Sequence, residues 1–216
     1  MWNHLLDLVF PRHSLTGDEG EWISNEERKR MKCFPVLLHH KLLRKKGVKY
    51  LDFLIAASSY QASPLLKKAI RTFKYGRIQE LGPELAQHLV KALPGLLLLR
   101  TSAPVLVPVP LHWTRLNHRG FNQALILAKT IGEERQWAPA ELLRRTRPTG
   151  HQAWRKRAER LKSMTNAFSY SGPSPAPSCV FLVDDIATTC ATLDSCAQVL
   201  KKAGVKSVVG LVVAYG

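Results

Sequence analysis

Two adjacent carboxylates, Asp184 and Asp185, stand between an apolar run and a stretch of small hydroxyl residues. The apolar run, residues 180–183, is typical of a strand that is buried on both faces, as in a parallel sheet. After the hydroxyl residues, apolar side chains recur at helical spacing: Leu193, Cys196, Ala197 and Leu200. Ligands of open α/β sheets bind outside the carboxyl ends of the strands, and helix N-termini attract anions. The pattern therefore predicts carboxylates for hydroxyl groups beside a phosphate cradle, which suits a phosphorylated sugar.

Two other interpretations of the acidic pair are less specific. The first is a buried strand whose end carries two solvated aspartates. The second is a receiver domain, which also begins with an apolar strand and an acidic pair. A receiver domain needs further strands with a phosphoacceptor Asp and a Lys, and residues 186–216 are too few to supply them. The threonines at 188, 189 and 192 favour the phosphosugar interpretation.

The rest of the chain supplies elements that would position this site. Apolar runs predict strands at 50–60, 105–110, 167–170 and 208–213, and a short strand or turn at 141–147. Helices are predicted at 64–73, 83–93, 124–131 (closing at Gly132), 153–166 and 193–200. Pro108 cannot donate to a ladder, so its strand must end early or lie at an edge. Residues 111–122 are predicted as a donor-rich loop, which suits either a second anion site or a solvated basic loop.

Composition restricts the class of partner. The chain has 216 residues, and 32 Lys and Arg against 16 Asp and Glu give a formal charge of +16. This charge favours polyanionic partners such as nucleic acid, phosphorylated ligands or an anionic membrane surface, although a soluble basic surface also explains it. The sequence holds only 4 cysteines, a leader is not evident, and every apolar run is too short to span a membrane. A reduced, cytoplasmic setting is therefore expected.

Residues 1–48 differ in composition from residues 49–216. We expect a small N-terminal module before one larger domain, with the boundary near residue 48. Cys33, His39 and His40 lie in the module and invite a comparison with zinc sites. Structural zinc requires four ligands with paired spacing, which these residues do not supply. No zinc is therefore expected.

The stretch from Val180 to Thr192 resembles the phosphoribosyl pyrophosphate (PRPP) binding signature of the type I phosphoribosyltransferases. The resemblance implies that Asp184 and Asp185 act as catalytic carboxylates facing the ribose hydroxyls. It implies that a loop wraps the 5′-phosphate, formed by Ala187, Thr188, Thr189, Cys190, Ala191 and Thr192. That family usually has glycine where Cys190 stands. If a left-handed backbone is required there, the Cβ costs roughly 1–2 kcal/mol, which would weaken phosphate binding.

Three further segments resemble the ComF/GntX family of phosphoribosyltransferase-like, competence-associated proteins. They are residues 107–112 with 119–124 (Val-Pro-Val-Pro-Leu-His, then Arg-Gly-Phe-Asn-Gln-Ala), residues 73–76, and residues 149–168. In the last segment Gln152, Arg160, Ala167 and Phe168 match, whereas Ser163 replaces an asparagine. The resemblance implies a type I phosphoribosyltransferase-like α/β fold with a central parallel sheet flanked by helices. Apart from Cys33, the cysteines of the family's N-terminal four-cysteine zinc module are absent here, so packing alone would hold a module in that place.

The resemblance also implies roles for residues outside the signature. Pyrophosphate would face Arg115, Arg119 and Lys74, and Mg²⁺ would enter with PRPP rather than on direct protein ligands. A lid or nucleic-acid surface would use Gln152, Arg155, Arg157, Trp113 and Trp154, although the tryptophans are equally compatible with core packing.

Two functions follow from the resemblance. The first is a PRPP-binding protein of natural competence that handles imported single-stranded DNA, with the DNA-uptake machinery as its partner. The second is an active phosphoribosyltransferase that acts on a nucleobase or related acceptor.

Overall fold

The computed structural model describes residues 12–93, 103–147 and 167–216. Its main sheet has five strands, which are β1 (Val36–His39), β2 (Phe53–Ser59), β3 (Val105–Pro108), β6 (Cys179–Ala187) and β7 (Ser207–Tyr215). Their order in the sheet is β1–β2–β7–β6–β3. Strands β2, β7, β6 and β3 run parallel, and β1 is antiparallel to β2. A separate antiparallel hairpin pairs β4 (Leu143–Arg145) with β5 (Phe168–Tyr170). The α/β prediction is confirmed, with a mixed and mostly parallel sheet.

Helices cover both faces of the main sheet. The described residues form α1 (Asn25–Arg30), α2 (His40–Lys45), α3 (Pro64–Tyr75), α4 (Leu81–Ala92), α5 (Trp113–Arg119), α6 (Gln123–Arg135) and α7 (Ala191–Lys202). One core joins apolar residues of α3, α4 and α6 to Phe181 and Val183 of β6. The other core joins α7 to Leu182 of β6 and Val212 of β7. Strand β6 is therefore buried from both sides, as its apolar run predicts.

Two sequence predictions about the strand–loop–helix region around residue 120 have different outcomes. Strand β3 ends at Pro108 and pairs within the main sheet with β6 alone, so the prediction of an early end at an edge is confirmed. The prediction of a continuous loop over 111–122 is wrong, because α5 forms there. Its first turn is capped by the His112 side chain, and its C-cap is Gly120, whose φ of 84° a side chain would strain.

The expected end of α6 at Gly132 is also wrong, since the helix continues to Arg135. A Cβ on residue 132 would lie 2.7 Å from the carbonyl oxygen of Trp137. Glycine is needed there for a close backbone approach rather than to end the helix. The terminating residue is Gln136, with φ of 56° and ψ of 38°.

The described part of the N-terminal region packs on the α/β layers. Leu15, Ile23 and Met31 are buried in the core of α3 and α4, and β1 extends the sheet. Buried Glu27 accepts hydrogen bonds from the Ser14 hydroxyl (3.2 Å) and the Ser24 N–H (2.8 Å). Apolar packing and this buried carboxylate hold the described segment against the α/β layers. That residues 1–48 form a separate module stays a prediction. Within the described ranges, no helix has both the length and the apolar character to cross a membrane.

Candidate functional site

The acidic pair lies in the last part of β6, at the carboxyl edge of the sheet. The ladder with β7 continues past it, pairing Asp184 with Val212 and Ala187 with Tyr215. Helix α7 begins at Ala191, so only residues 188–190 separate strand from helix. The connection is therefore a tight turn that brings the N-terminus of a 12-residue helix beside the two carboxylates.

The two carboxylates have different neighbours, because adjacent side chains of a strand point to opposite faces of its sheet. Asp185 is buried, and its Oδ1 lies 2.8 Å from Nζ of Lys74 on α3. Asp184 is partly exposed and interacts electrostatically with Cys196 of α7, which belongs to the other core. Its Oδ1 also accepts a 2.8 Å hydrogen bond from the N–H of Asp185. Lys74 thus neutralises Asp185 directly, whereas Asp184 lies on the opposite face of the sheet, near Cys196.

Asp184 has an electrostatic environment that favours its protonated form. Burial, and then the negative charge of Asp185, raise the pKa of Asp184 to about 7, although Lys74 and Arg119 act in the opposite direction. The carboxyl group therefore changes charge near neutral pH. It can donate a hydrogen bond to a ligand hydroxyl below that pH and accept one above it.

The turn between β6 and α7 contains a residue in the left-handed conformation. Cys190, the N-cap of α7, has φ of 59° and ψ of 9° and is buried. This is the conformation that glycine adopts without strain, so the departure noted in the sequence falls where a Cβ is unfavourable. The Thr189 hydroxyl accepts a hydrogen bond from the Ala191 N–H at 3.4 Å, and Thr188 is exposed. The phosphate-binding role of residues 187–192 stays a prediction.

The segment after β3 reaches the same edge of the sheet. The Val109 N–H donates to the Val183 carbonyl at 2.9 Å, immediately before Asp184. The Asn122 side-chain amide donates to the Val109 carbonyl at 3.2 Å, and Asn122 also caps α6. These contacts fix the N-terminus of α6 close to the acidic pair.

The predicted cations lie around this edge. The Arg119 guanidinium stacks 5.5 Å from the ring centroid of Tyr75, and its Nη1 donates to Oε1 of Gln123 at 3.0 Å. Burial, and then the positive charge of Arg119, lower the pKa of Arg115, which also interacts with both aspartates. With Lys74 on Asp185, the structure brings all three cations into the electrostatic field of the acidic pair. Their assignment to pyrophosphate stays a prediction.

The aromatic and lid residues have separate outcomes. Trp113 is 65% exposed, so the core-packing alternative is wrong for this tryptophan. Its ring centroid lies 5.6 Å from that of His112. Gln152, Trp154, Arg155 and Arg157 lie outside the described residues, as does the helix predicted at 153–166.

Sequence reasoning missed two polar side chains at the site. Burial, and then nearby Arg115, lower the pKa of Arg145 on β4 to about 10, and Asp184 acts on the same guanidinium. Gln123 is 2% exposed and holds Arg119. Side chains of a strand alternate between its two faces, so one of the two arginines in residues 143–145 must point toward the protein interior. Three residues are too few to show from the sequence which arginine it is.

Metal ligands do not cluster in the described part of the chain: no group of three or more His, Cys, Asp or Glu side chains could hold a metal ion there. The Cys33 thiol instead donates to the Ala57 carbonyl at 3.0 Å. The absence of structural zinc stays a prediction, as does Mg²⁺ binding through a phosphosugar.

Comparison with known proteins gives sequence relatives, whereas no family model matches the chain. DNA utilization protein YhgH of Escherichia coli K12 is 32% identical over 161 residues, which span 72% of this chain and 68% of the relative. The YhgH protein of Salmonella typhimurium is 30% identical over 162 residues, with 72% and 68% covered. Competence protein F of Haemophilus influenzae is 31% identical over 109 residues, with 48% and 46% covered.

A solved structure, TT1426 from Thermus thermophilus, matches with 17% identity and a TM-score of 0.35, covering 61% of this chain and 83% of that one. A structural likeness this distant carries no argument about fold or function. The two YhgH proteins, in contrast, match over 72% of the chain. The chain belongs to the ComF family, with DNA utilization protein YhgH and competence protein F as relatives.

Proposed function

We propose that this protein binds PRPP or a closely related phosphosugar at the carboxyl edge of its sheet, within a type I phosphoribosyltransferase-like fold. One observation carries the proposal. Asp184 and Asp185 lie near the end of the buried parallel strand β6, and a three-residue turn leads from the end of that strand to a helix N-terminus. Carboxylates can hold a ribose diol, and the N–H groups of a helix N-terminus can hold its phosphate.

The neighbouring charges support this ligand class. Lys74, Arg115 and Arg119 offset the two carboxylates and leave an excess of positive charge for a phosphorylated ligand. The donor set fits Mg²⁺ that arrives with the ligand, since Lys74 occupies Asp185 and the described residues hold no three-ligand cluster. Asp184 and Asp185 would then hold the metal through the ribose hydroxyls. When bound, Mg²⁺ would neutralise pyrophosphate oxygens.

The binding test replaces the carboxylates with amides of the same shape. We expect Asp184→Asn with Asp185→Asn to abolish PRPP binding in the presence of Mg²⁺, measured by isothermal titration calorimetry. The control variant carries Glu133→Gln and Glu134→Gln, two consecutive exposed residues of α6. It loses the same amount of charge, and we expect it to bind PRPP as the unaltered protein does. Unchanged affinity in the folded Asp184/Asp185 variant would exclude this site.

An active phosphoribosyltransferase is the second candidate, favoured by the three cations near the acidic pair. Transfer breaks the bond between the anomeric carbon and pyrophosphate, so catalysis requires positioning and neutralisation of that leaving group. The assay is pyrophosphate release from PRPP in the presence of individual nucleobases, with the Asp184/Asp185 variant as a control. Binding without release would support a ligand-binding role alone.

The biological setting we propose is the utilization of imported DNA. Two relatives carry names that refer to DNA utilization and competence, and the chain has a formal charge of +16. The outward face of α3 presents Lys67, Lys68 and Arg71 along a groove of about 670 Å³. Exposed Trp113 adds a surface on which a base can stack. Weak, sequence-independent binding of single-stranded DNA follows, with the DNA-uptake machinery as the proposed protein partner in the cytoplasm.

A further inference from the structure

Gln123, the first residue of α6, has a buried side chain whose hydrogen bonds are only half satisfied. It is 2% exposed, and its Oε1 accepts from Nη1 of Arg119 at 3.0 Å. Because a guanidinium only donates, this contact fixes which end of the amide is the oxygen. The Nε2 end is shielded from solvent and has no hydrogen-bond partner among the described residues. An unpartnered buried donor destabilises the folded protein and therefore calls for a functional explanation.

The location of this amide suggests a ligand. Gln123 begins a 13-residue helix, and Asn122 ties that helix start to Val109. The Val109 N–H in turn bonds the carbonyl of Val183, the residue before Asp184. The unpartnered N–H₂ group thus stands at the positive end of a helix dipole, at the edge that carries the acidic pair. A helix N-terminus, a guanidinium and an unpartnered amide donor all favour the same kind of ligand, an anion.

We propose that Gln123 Nε2 and Arg119 together bind the pyrophosphate group of the phosphosugar. This inference rests on the proposed function and adds a ligand contact to it. In the ligand-free protein, Oε1 accepts a hydrogen bond from the Arg119 guanidinium. Arg119 is partly exposed and stacked on Tyr75, so an anion can draw it away from Oε1 and leave the Gln123 amide free to turn its Nε2 group toward the ligand. The phosphate oxygen then meets a donor that has no water to lose, and the folded protein gains the missing hydrogen bond.

Two substitutions separate the donor from the oxygen that holds Arg119. Gln123→Glu keeps an oxygen for Arg119, strengthens that contact and replaces the N–H₂ group with a negative oxygen. Gln123→Met keeps the size of the side chain and removes both polar ends. We expect pyrophosphate and PRPP affinities to fall by more than about tenfold in Gln123→Glu and by a smaller factor in Gln123→Met. Gln87→Met is the matched control, because Gln87 makes a surface hydrogen bond with Glu134.

The probes for calorimetry are sodium pyrophosphate, ribose 5-phosphate and PRPP with Mg²⁺, and thermal unfolding verifies that each variant folds. Ribose 5-phosphate lacks the pyrophosphate group, so its affinity should be the same in all variants. The inference would be overturned if Gln123→Met bound pyrophosphate as tightly as the unaltered protein does. It would also be overturned if the Gln123 variants lost as much affinity for ribose 5-phosphate as for pyrophosphate.

The same measurements distinguish this inference from the proposed function. If the unaltered protein binds PRPP and neither Gln123 substitution changes that affinity, the inference fails and the proposed function stands. Gln123-dependent binding of pyrophosphate without PRPP binding would support the anion contact and overturn the phosphosugar. If the unaltered protein does not bind pyrophosphate, the inference is overturned whatever PRPP does.

Discussion

At residue 190 the chain holds a cysteine in a backbone conformation that favours glycine. The φ of 59° brings the Cβ close to the following carbonyl, and the side chain is buried in the core under α7. The cysteine therefore contributes packing at the expense of backbone strain. Substitutions that separate packing from strain show how much the left-handed backbone at residue 190 costs in stability.

We expect Cys190→Gly to be more stable than Cys190→Ala by roughly 0.5–1 kcal/mol, because glycine relieves the left-handed strain and both lose the sulfur. In an ordinary helical position the order is reversed, with alanine ahead by about 1 kcal/mol. Urea unfolding monitored by circular dichroism measures the difference. An Ala variant that is the more stable of the two would contradict the strained conformation.

Asp184 should make stability depend on pH. Its pKa is raised from 3.8 to about 7 in the folded protein, so the folded state retains a proton that the unfolded state has lost. The stabilisation is present in full below the unfolded value and is lost as pH rises through the folded value. We expect the free energy of unfolding to fall more between pH 4 and about 7 in the unaltered protein than in Asp184→Asn. Urea unfolding across this range measures the two curves, and parallel curves would contradict the raised pKa.

Among the elements, α7 is fixed by a buried carboxylate to the segment that leads into β2. Asp194, in the first turns of α7, accepts backbone N–H groups of Lys49 (2.9 Å) and Leu51 (3.1 Å) and also that of Tyr50. Asp52 adds a second link by accepting from Lys201 Nζ and the Val208 N–H. The segment that enters the sheet is therefore held by the helix that follows the acidic pair.

We expect Asp194→Ala to reduce the free energy of unfolding by about 3 kcal/mol, because it leaves three N–H groups without their acceptor. Asp194→Asn keeps one side-chain oxygen and should lose less. Exposed Glu133→Ala on α6 should change stability by no more than about 0.5 kcal/mol. Equal denaturant midpoints for Asp194→Ala and Glu133→Ala would show that the link does not stabilise the fold.

The sequence predicts elements well where burial alone determines the pattern. Strands β6 and β7 contain the apolar runs 180–183 and 208–213, and α3 begins with a proline after a serine cap, so the sequence predicts all three. Helix α5 was not, since its seven residues include none that is buried and its cap is a histidine. The sequence predicts the end of α6 wrongly at Gly132, because this glycine is needed for the close approach of the Trp137 carbonyl. No local pattern reveals that contact.

The candidate site shows the same limit. The motif identifies Asp184 and Asp185, but a strand places adjacent side chains on opposite faces, and only the fold shows that Lys74 binds one of them. The roles of Arg145 and Gln123 depend on contacts between distant segments. Partners of this kind are set by tertiary packing, so periodicity and spacing do not contain them.

For the whole molecule, the distribution of charge matters more than its sum of +16. Helix α3 buries Leu66, Ala69, Ile70 and Phe73, and its opposite side carries the cations of the groove. Tyr75, 64% exposed at the end of this helix, lies beside Arg119 of the candidate site. A strand of nucleic acid following the basic face would thus approach the acidic pair, so DNA and phosphosugar would meet at one edge.

We expect weak binding of single-stranded DNA that falls steeply with salt, because phosphate contacts release counterions. Reversing Lys67, Lys68 and Arg71 to glutamate should lower the slope of log affinity against log salt by about 2, since each lost contact contributes about 0.7. Trp113→Ala should weaken binding by about 1–3 kcal/mol at every salt concentration, through lost stacking. Fluorescence anisotropy with an unstructured oligonucleotide measures both effects.

The control for the charge reversal replaces Lys41, Lys45 and Lys49 with glutamate, because these residues are exposed and carry the same charge. An equal change of slope in the two triple variants would mean that total charge, rather than the α3 face, attracts the DNA.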